Sequence, residues 1–393
     1  MAVLAEIEHI RDEMIAIRQH IHAHPELGFE EFGTSDLVAS KLEAWGYTVH
    51  LGLGGTGVVG QLRRGPGPTI GLRADMDALP IHEETGLNYA SVNEGKMHAC
   101  GHDGHTATLL AAAKVLATST NFSGTVNLIF QPAEEGLGGA RKMVEQGLFE
   151  LFPCDAIFAM HNMPGHPLGK FGFLAGPFMA SSDTVTVTVL GKGGHGAVPY
   201  KAIDPVLIAS SIVLNLQSIV SRNIDPLDMA IVSVGSLQAG KAANVIPSTA
   251  KLEISVRSLS AATRDLLQAR ITALVKMTAQ GLGGDAQVHY NRRYPVLVNH
   301  QKETELAIAA ALDWVGEDGL IQNMRPLTGS EDFAFMLQHC PGSYLIVGNG
   351  DDEGSVMCHH PEFDFNDQCL LMGASYWIKL VEKMLPARPS VLS

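Results

Sequence analysis

The stretch Met97-His98-Ala99-Cys100-Gly101-His102-Asp103-Gly104-His105 gathers a thiol, several imidazoles and a carboxylate into one short run spaced by glycines. Alternate residues of an extended chain project to the same side, so Cys100 and His102 are predicted to reach one metal cluster together. Thiolate, imidazole and carboxylate are the donors that zinc and its first-row neighbours take. The competing interpretation is a polar loop that happens to be rich in histidine. The rest of the chain has to decide between them.

Upstream, Ile7, Ile10, Met14, Ile17 and Ile21 recur at spacings of three and four, which predicts an amphipathic helix over 3–24. His24-Pro25 ends it, because proline disfavours a helical residue before it. A second helix is expected near 34–45 and a strand near 47–51. The glycine-rich 52–60 segment lacks the G-x-G-x-x-G spacing before a helix and reads as a turn, not a phosphate cradle. Thr69 to Ala74 is a short strand that delivers Asp75-Met76-Asp77.

Downstream, Thr106 to Ala117 reads as a buried helix and Gly124 to Gln131 as an apolar strand running into Pro132-Ala133-Glu134-Glu135-Gly136. A helix over 139–149 and a strand over 155–160 that ends at His161 follow. This alternation predicts an α/β fold with a mostly parallel, helix-covered sheet. Asp75, Glu134, Glu135 and His161 then all follow strand C-termini, the sheet edge where such folds bind ligands.

From about Ser182 the pattern changes. Asp183 to Leu190 (DTVTVTVL) alternates strictly, as a half-exposed strand does. Helix, strand, strand, helix and strand follow, to about residue 294. The order βαββαβ is that of the ferredoxin-like fold. It predicts an inserted satellite domain over 182–294, for dimerisation or as a lid, within a catalytic domain of 1–181 and 295–393. Its 230–237 strand is a candidate edge for pairing across a two-fold axis.

The chain has 393 residues, 46% hydrophobic and 17% charged, with a net charge of −14. That length favours two domains, and that charge argues against nucleic acid or an anionic membrane as the main partner. Five scattered cysteines do not read as a disulfide framework. Met1 to His20 has no signal-peptide core, and no apolar run is expected to approach the roughly 18–20 residues of a membrane span. The expected setting is cytoplasmic.

Several side chains carry candidate chemistry. In the Glu134-Glu135 pair, neighbouring side chains diverge, so one carboxylate can ligate a metal while the other faces a water as general base. A lone acidic pair is more often a solvated turn, and its place after a buried strand is what argues otherwise. His161 reads equally as a hydrogen-bonded core histidine. His359-His360 reads by itself as a surface pair. Asp77 is a candidate to hold a ligand histidine in one tautomer, and Asp75 either does the same or caps a helix. His195 stands among the glycines of Gly191-Lys192-Gly193-Gly194-His195-Gly196-Ala197, which is otherwise a plain turn. Asn244 and Arg257 are groups able to bind a carboxylate or polarise a carbonyl.

Taken together, MHACGHDGHTA (97–107), QPAEEG (131–136), the Met160-His161 turn, GKGGHGA (191–197), NVIP (244–247), Ser330-Glu331-Asp332-Phe333 and HHPEFDFND (359–367) resemble one family. It is that of the metal-dependent amidohydrolases, which includes hippurate hydrolases, N-acyl-amino-acid amidohydrolases and plant hydrolases of indole-3-acetyl–amino acid conjugates. The resemblance runs through nearly the whole chain in the family's order. It implies a zinc-exopeptidase-like catalytic domain and two divalent ions, manganese or zinc first, cobalt or nickel next. The implied ligands are Cys100, His102, Glu135, His161 and His359, with Cys100 or a carboxylate bridging. His359 is preferred to His360 because the family's pattern is His, one residue, then Pro. Glu134 falls on the general acid/base, and His195, Asn244 and Arg257 fall on substrate contacts. The implied reaction is hydrolysis of the amide of an N-acyl or N-aroyl amino acid by a homodimer or homotetramer, with His195 acting after domain closure or from a partner subunit. One departure stands out. The wider di-zinc exopeptidase superfamily carries a His-x-Asp strand end, and here Asp75-Met76-Asp77 replaces that histidine. A dipeptide-cleaving metallo-exopeptidase and a metal-free binding protein of the same fold are the alternatives.

Overall fold

Continuously apolar runs become strands covered on both faces, whereas the alternating runs become strands with one open face. In the computed structural model, which describes residues 3–351 and 355–387, these two kinds of strand build two compact units. The first unit comprises Met1–Gly176, Val298–Arg325 and Asp332–Ser393. The second comprises Pro177–Leu297 with Pro326–Glu331, against an expected 182–294.

The first unit contains β1 (Thr48–Leu53), β2 (Gly57–Arg64), β3 (Thr69–Asp75), β4 (Gly124–Gln131), β5 (Ala156–Pro164) and β6 (Phe171–Gly172). The second contains β7 (Ser181–Leu190), β8 (Ala230–Ala239), β9 (Thr249–Ser258) and β10 (Asp285–Tyr294), and the chain returns to the first with β11 (Gly342–Gly350). The first sheet runs β1-β2-β4-β3-β5-β11-β6. Its inner strands β4, β3, β5 and β11 are parallel, and β1, β2 and β6 add antiparallel edges. All of the C-terminal ends that the sequence linked to chemistry belong to this parallel core.

Helix His102–Thr118 is buried along nearly its whole N-terminal half and packs against the closing helix Asp367–Met384. Its Ala111-Ala112-Ala113 run lets backbones approach closely, and buried Leu109, Leu110 and Leu116 fill the space around it. Gly104 shows how tight this is. A Cβ there would stand 2.3 Å from the ring of Phe365, so only glycine leaves room for that ring.

In the second unit the sheet order is β8-β9-β7-β10, all antiparallel, which is the ferredoxin-like arrangement. Val185, Val187 and Val189 face the helices, with Leu252, Ile254 and Val256 of β9 beside them. Helix Pro205–Asn223 lays Ile208, Ile212, Leu216 and Ile219 on that face. Each such side chain fully buried contributes roughly 1.5–3 kcal/mol. β8 is an edge strand.

Several sequence expectations need correction. The N-terminal helix is two helices, Ala5–His9 and Arg11–Ala23, broken at Ile10. The 52–60 turn is shorter than expected, because β2 already begins at Gly57. The helix over 139–149 divides into Gly139–Glu145 and Leu148–Leu151 at Gly147, whose φ of 89° ends the first. His161 lies inside β5, not past its end. Helix Pro205–Asn223 reaches the length and apolarity of a membrane span by composition, although Ser210, Ser211 and Asn215 interrupt its apolar residues and a third of it is buried.

Candidate metal centre

Cys100 and His102 do not project together from an extended strand. Gly101 adopts φ 93°, and His102 is the first residue of the helix that follows. A side chain at 101 would be strained by that φ, and its Cβ would meet Asn162 Oδ1 at 2.5 Å. The left-handed turn, rather than a strand's period of two, is what brings the thiol and the imidazole to one place.

Other elements bring donors to the same place. His161 enters from β5, and its Nε2 lies 3.4 Å from Cys100 Sγ. Glu134 and Glu135 follow β4 after Ala133, which adopts φ 54°. His359 sits in a late loop at φ 68°, with its N–H bonded to the Ala99 carbonyl at 2.7 Å and its Nε2 3.2 Å from Glu135 Oε1. Non-glycine residues in this conformation are uncommon, and they concentrate at functional sites. His360 turns to Glu362 instead.

The donor atoms form overlapping groups, each with all members within 4.8 Å of one another: Cys100 with His102 and His161, Cys100 with Glu135 and His359, and His102 with Glu134 and Glu135. Cys100 is common to the first two, an arrangement that suits two cations sharing one sulfur. One buried donor of the set, His102 Nε2, has no hydrogen-bond partner among the described residues. Buried polar atoms are normally paired, so this orphan and the donor chemistry fit a first-row divalent ion. The titration behaviour agrees. The bond with Cys358, burial, and then Glu135 and Glu134 push the Cys100 thiol well above its usual value, so a thiolate here needs a cation beside it.

Supporting groups fix the donors. Asp77 faces His102 Nδ1 through its backbone carbonyl at 2.8 Å and its Oδ1 at 3.2 Å, which leaves Nε2 for a cation. The same carboxylate accepts the N–H groups of Glu134 at 3.0 Å and Glu135 at 2.9 Å. Burial opposes charge on His102, but Asp75 and Asp77 outweigh it and raise its pKa well above normal. Burial, then His105, hold His161 well below.

Sequence reasoning missed part of this support. His105 bonds Asp75 at 2.6 Å and Asn162 at 2.7 Å. Its position three residues after His102 on one helix face was the available signal. Asp75 is held by Arg73 at 2.6 Å, and Arg73 reaches Asp332 at 3.3 Å. Asp332 also accepts from Gln131 at 2.8 Å and from the Ala140 N–H at 2.9 Å, so it secures both sides of the Glu134 loop.

The remaining predicted residues lie in the second unit. Gly194–His195 pairs with Val245–Ile246, which brings His195 beside Asn244. Ala197 N–H donates to His195 Nδ1 at 3.0 Å, so the ring proton sits on Nε2. Arg257 is not brought to them. It pairs with Ser182 at the far end of β9 from Thr249, and at about 3.3 Å per residue that end is about 26 Å away.

Comparison with known proteins agrees with this geometry. The model of peptidase family M20/M25/M40 matches residues 71–383. The chain is 47% identical to a hippurate hydrolase of Campylobacter jejuni, covering 98% of this chain and 100% of that protein. It is 39% identical to IAA-amino acid hydrolase ILR1-like 2 of Arabidopsis thaliana, covering 98% and 88%. Among solved structures, the Bacillus subtilis YXEP protein, described as a dinuclear metal binding peptidase from M20 family, superposes with a TM-score of 0.83 at 33% identity over 96% of this chain and 99% of that one. With strand order, donor loop and sequence all in agreement over nearly its full length, the chain belongs to peptidase family M20/M25/M40.

Proposed function

We propose that this chain is a metal-dependent amidohydrolase that cleaves N-acyl or N-aroyl amino acids into a carboxylic acid and a free amino acid. The observation that carries this reading is the pair of donor groups meeting at Cys100, with Glu134 alongside. The hippurate hydrolase and the conjugate hydrolase among its relatives support the substrate class.

Cys100, His102, Glu135, His161 and His359 would hold two divalent ions, manganese or zinc before cobalt or nickel. When bound, the ions supply Lewis acidity toward the amide carbonyl and toward water. Glu134 takes the proton of the attacking water and returns it to the leaving amine, as microscopic reversibility requires. Asp77 holds His102 and the Glu134-Glu135 turn in register. His195 donates from Nε2 to the oxyanion, and Asn244 and Arg257 bind the substrate's polar ends.

The separation of Asn244 from Arg257 along β9 means that one chain does not bring both to a single small substrate. That supports a homodimer or homotetramer in which the His195–Asn244 turn serves a partner subunit. The five free cysteines, Cys100 among the donors, favour a reducing compartment, the cytoplasm.

The test is a panel of hippurate, N-acetyl amino acids, indole-3-acetyl conjugates and dipeptides, run on chelated protein with each metal restored in turn. Metal-dependent amine release from the N-acyl substrates is expected. Glu134→Gln should keep metal and fold while losing about 10²–10⁴-fold in turnover. Release that survives chelation, or that occurs from dipeptides alone, overturns the proposal.

A further inference from the structure

One buried carboxylate beside the site has no part in the chemistry just described. Glu31, fully buried at the start of helix Phe32–Ala44, accepts the Ala133 N–H on Oε1 at 2.8 Å and the Thr56 hydroxyl on Oε2 at 2.5 Å. Ala133 is the left-handed residue immediately before Glu134. The next two N–H groups, of Glu134 and Glu135, go to Asp77. Three consecutive amides are therefore held by two buried carboxylates from different segments. Gly28 makes the seat possible, because a Cβ there would already lie 3.1 Å from the Ala133 Cα and 2.8 Å from Leu137.

We infer that Glu31 is a positioning residue for Glu134, fixing the left-handed turn at Ala133 that aims the Glu134 and Glu135 carboxylates. An L residue leaves that conformation readily unless its surroundings over-determine it. Asp77 grips the turn only after Ala133, so the Ala133 amide depends on Glu31. Burial, with Asp77 adding to it, pushes the Glu31 carboxyl up to about 7 against the opposing pull of the Thr56 bond. Glutamine keeps the Oε1 acceptor that the Ala133 N–H needs, so a neutral amide of the same shape fills the role. The inference rests on Glu134 acting as general base, and its test carries a readout that does not.

The test compares Glu31→Gln with Glu31→Met, which keeps the volume but offers no acceptor, and with Thr56→Val, which leaves the Ala133 bond intact. Hydrogen exchange of the Ala133 amide is followed in metal-free protein, and kcat and KM are measured at full metal content. Glu31→Met is expected to speed Ala133 exchange at least about tenfold and to lower kcat about 100-fold, with KM changed by no more than about threefold. Glu31→Gln stays close to wild type on both measures, and Thr56→Val loses less than Glu31→Met. Unchanged exchange in Glu31→Met overturns the inference, as does an equal loss in the Gln and Met variants or a kcat that falls only in step with bound metal. Should Glu134→Gln retain turnover, the role of Glu134 fails, while the exchange result still decides whether Glu31 holds the turn.

Discussion

The two units use ionisable groups in opposite ways. Within the four strands and two helices of the second, the buried charged residues are Asp183 and Arg264. Arg264 Nη2 meets Asp183 Oδ1 at 2.5 Å, and the Tyr290 hydroxyl bonds Oδ2 at 3.0 Å. The buried members of its hydrophobic cluster are all aliphatic. The first unit buries Arg18, His22, Glu31, Arg73, Asp75, Asp77, His102 and Asp103 within or beside its core. Each such group costs desolvation that partners have to offset. A fold accumulates that many where it must present charge at fixed points, so the density of buried charge separates the reactive unit from the scaffold.

The comparison can be broken in four places. Cys100→Ala should have the largest effect, because the Cys100 sulfur is the one donor atom that joins the His102–His161 group to the Glu135–His359 group. Metal content should fall and turnover should drop by more than the about 10–100-fold typical of an outer partner. Atomic absorption beside an amine-release assay checks it, and full activity with two bound ions refutes it. Asp183→Ala should destabilise the second unit by about 3–5 kcal/mol, since Arg264 is left buried without its carboxylate. Urea titration followed by a probe in that unit measures this. Leu252→Ala, within the aliphatic core, should cost about 2–5 kcal/mol. A much smaller value would mean that this core is loosely packed.

The smallest effect concerns pH. Burial opposes charge on His22, but Asp103 at 2.8 Å and then Glu83 outweigh it and raise its pKa to about 10. Between about 6.5 and 10 the folded chain therefore holds a proton that the unfolded chain releases, and stability falls as pH rises through that window. The melting temperature of the first unit should decline across that window, by about 2–4 °C for each kcal/mol of stability lost. The decline should flatten in His22→Gln. An identical pH slope in that variant refutes the assignment.

What could be read from sequence follows the same division. Strict alternation in DTVTVTVL predicts a half-exposed strand without further help, and β7 is that strand. The apolar run 124–131 predicts β4 to the residue. The donor types in the Cys100 stretch were equally legible, since side-chain chemistry does not depend on conformation. How they converge was not. The extended reading fails at Gly101, where a glycine changed the local geometry from strand to left-handed turn and helix start. Glu31 had no signal either, because its partner Ala133 lies 102 positions away and bonds through its backbone. Arg257 and Asn244 are close in sequence, yet Arg257 sits near one end of β9 and Asn244 precedes the other. Sequence proximity says little about distance when the chain between is extended.

Gly104 has a consequence for the reach of His359. The Phe365 ring rests in the notch that the missing side chain leaves, six residues after His359 on the same loop. An alanine at 104 would evict the ring and pull that loop outward, although position 104 itself offers no donor atom. The span over which an imidazole can stretch to the sulfur is set, in effect, by a hydrogen atom on a neighbouring helix.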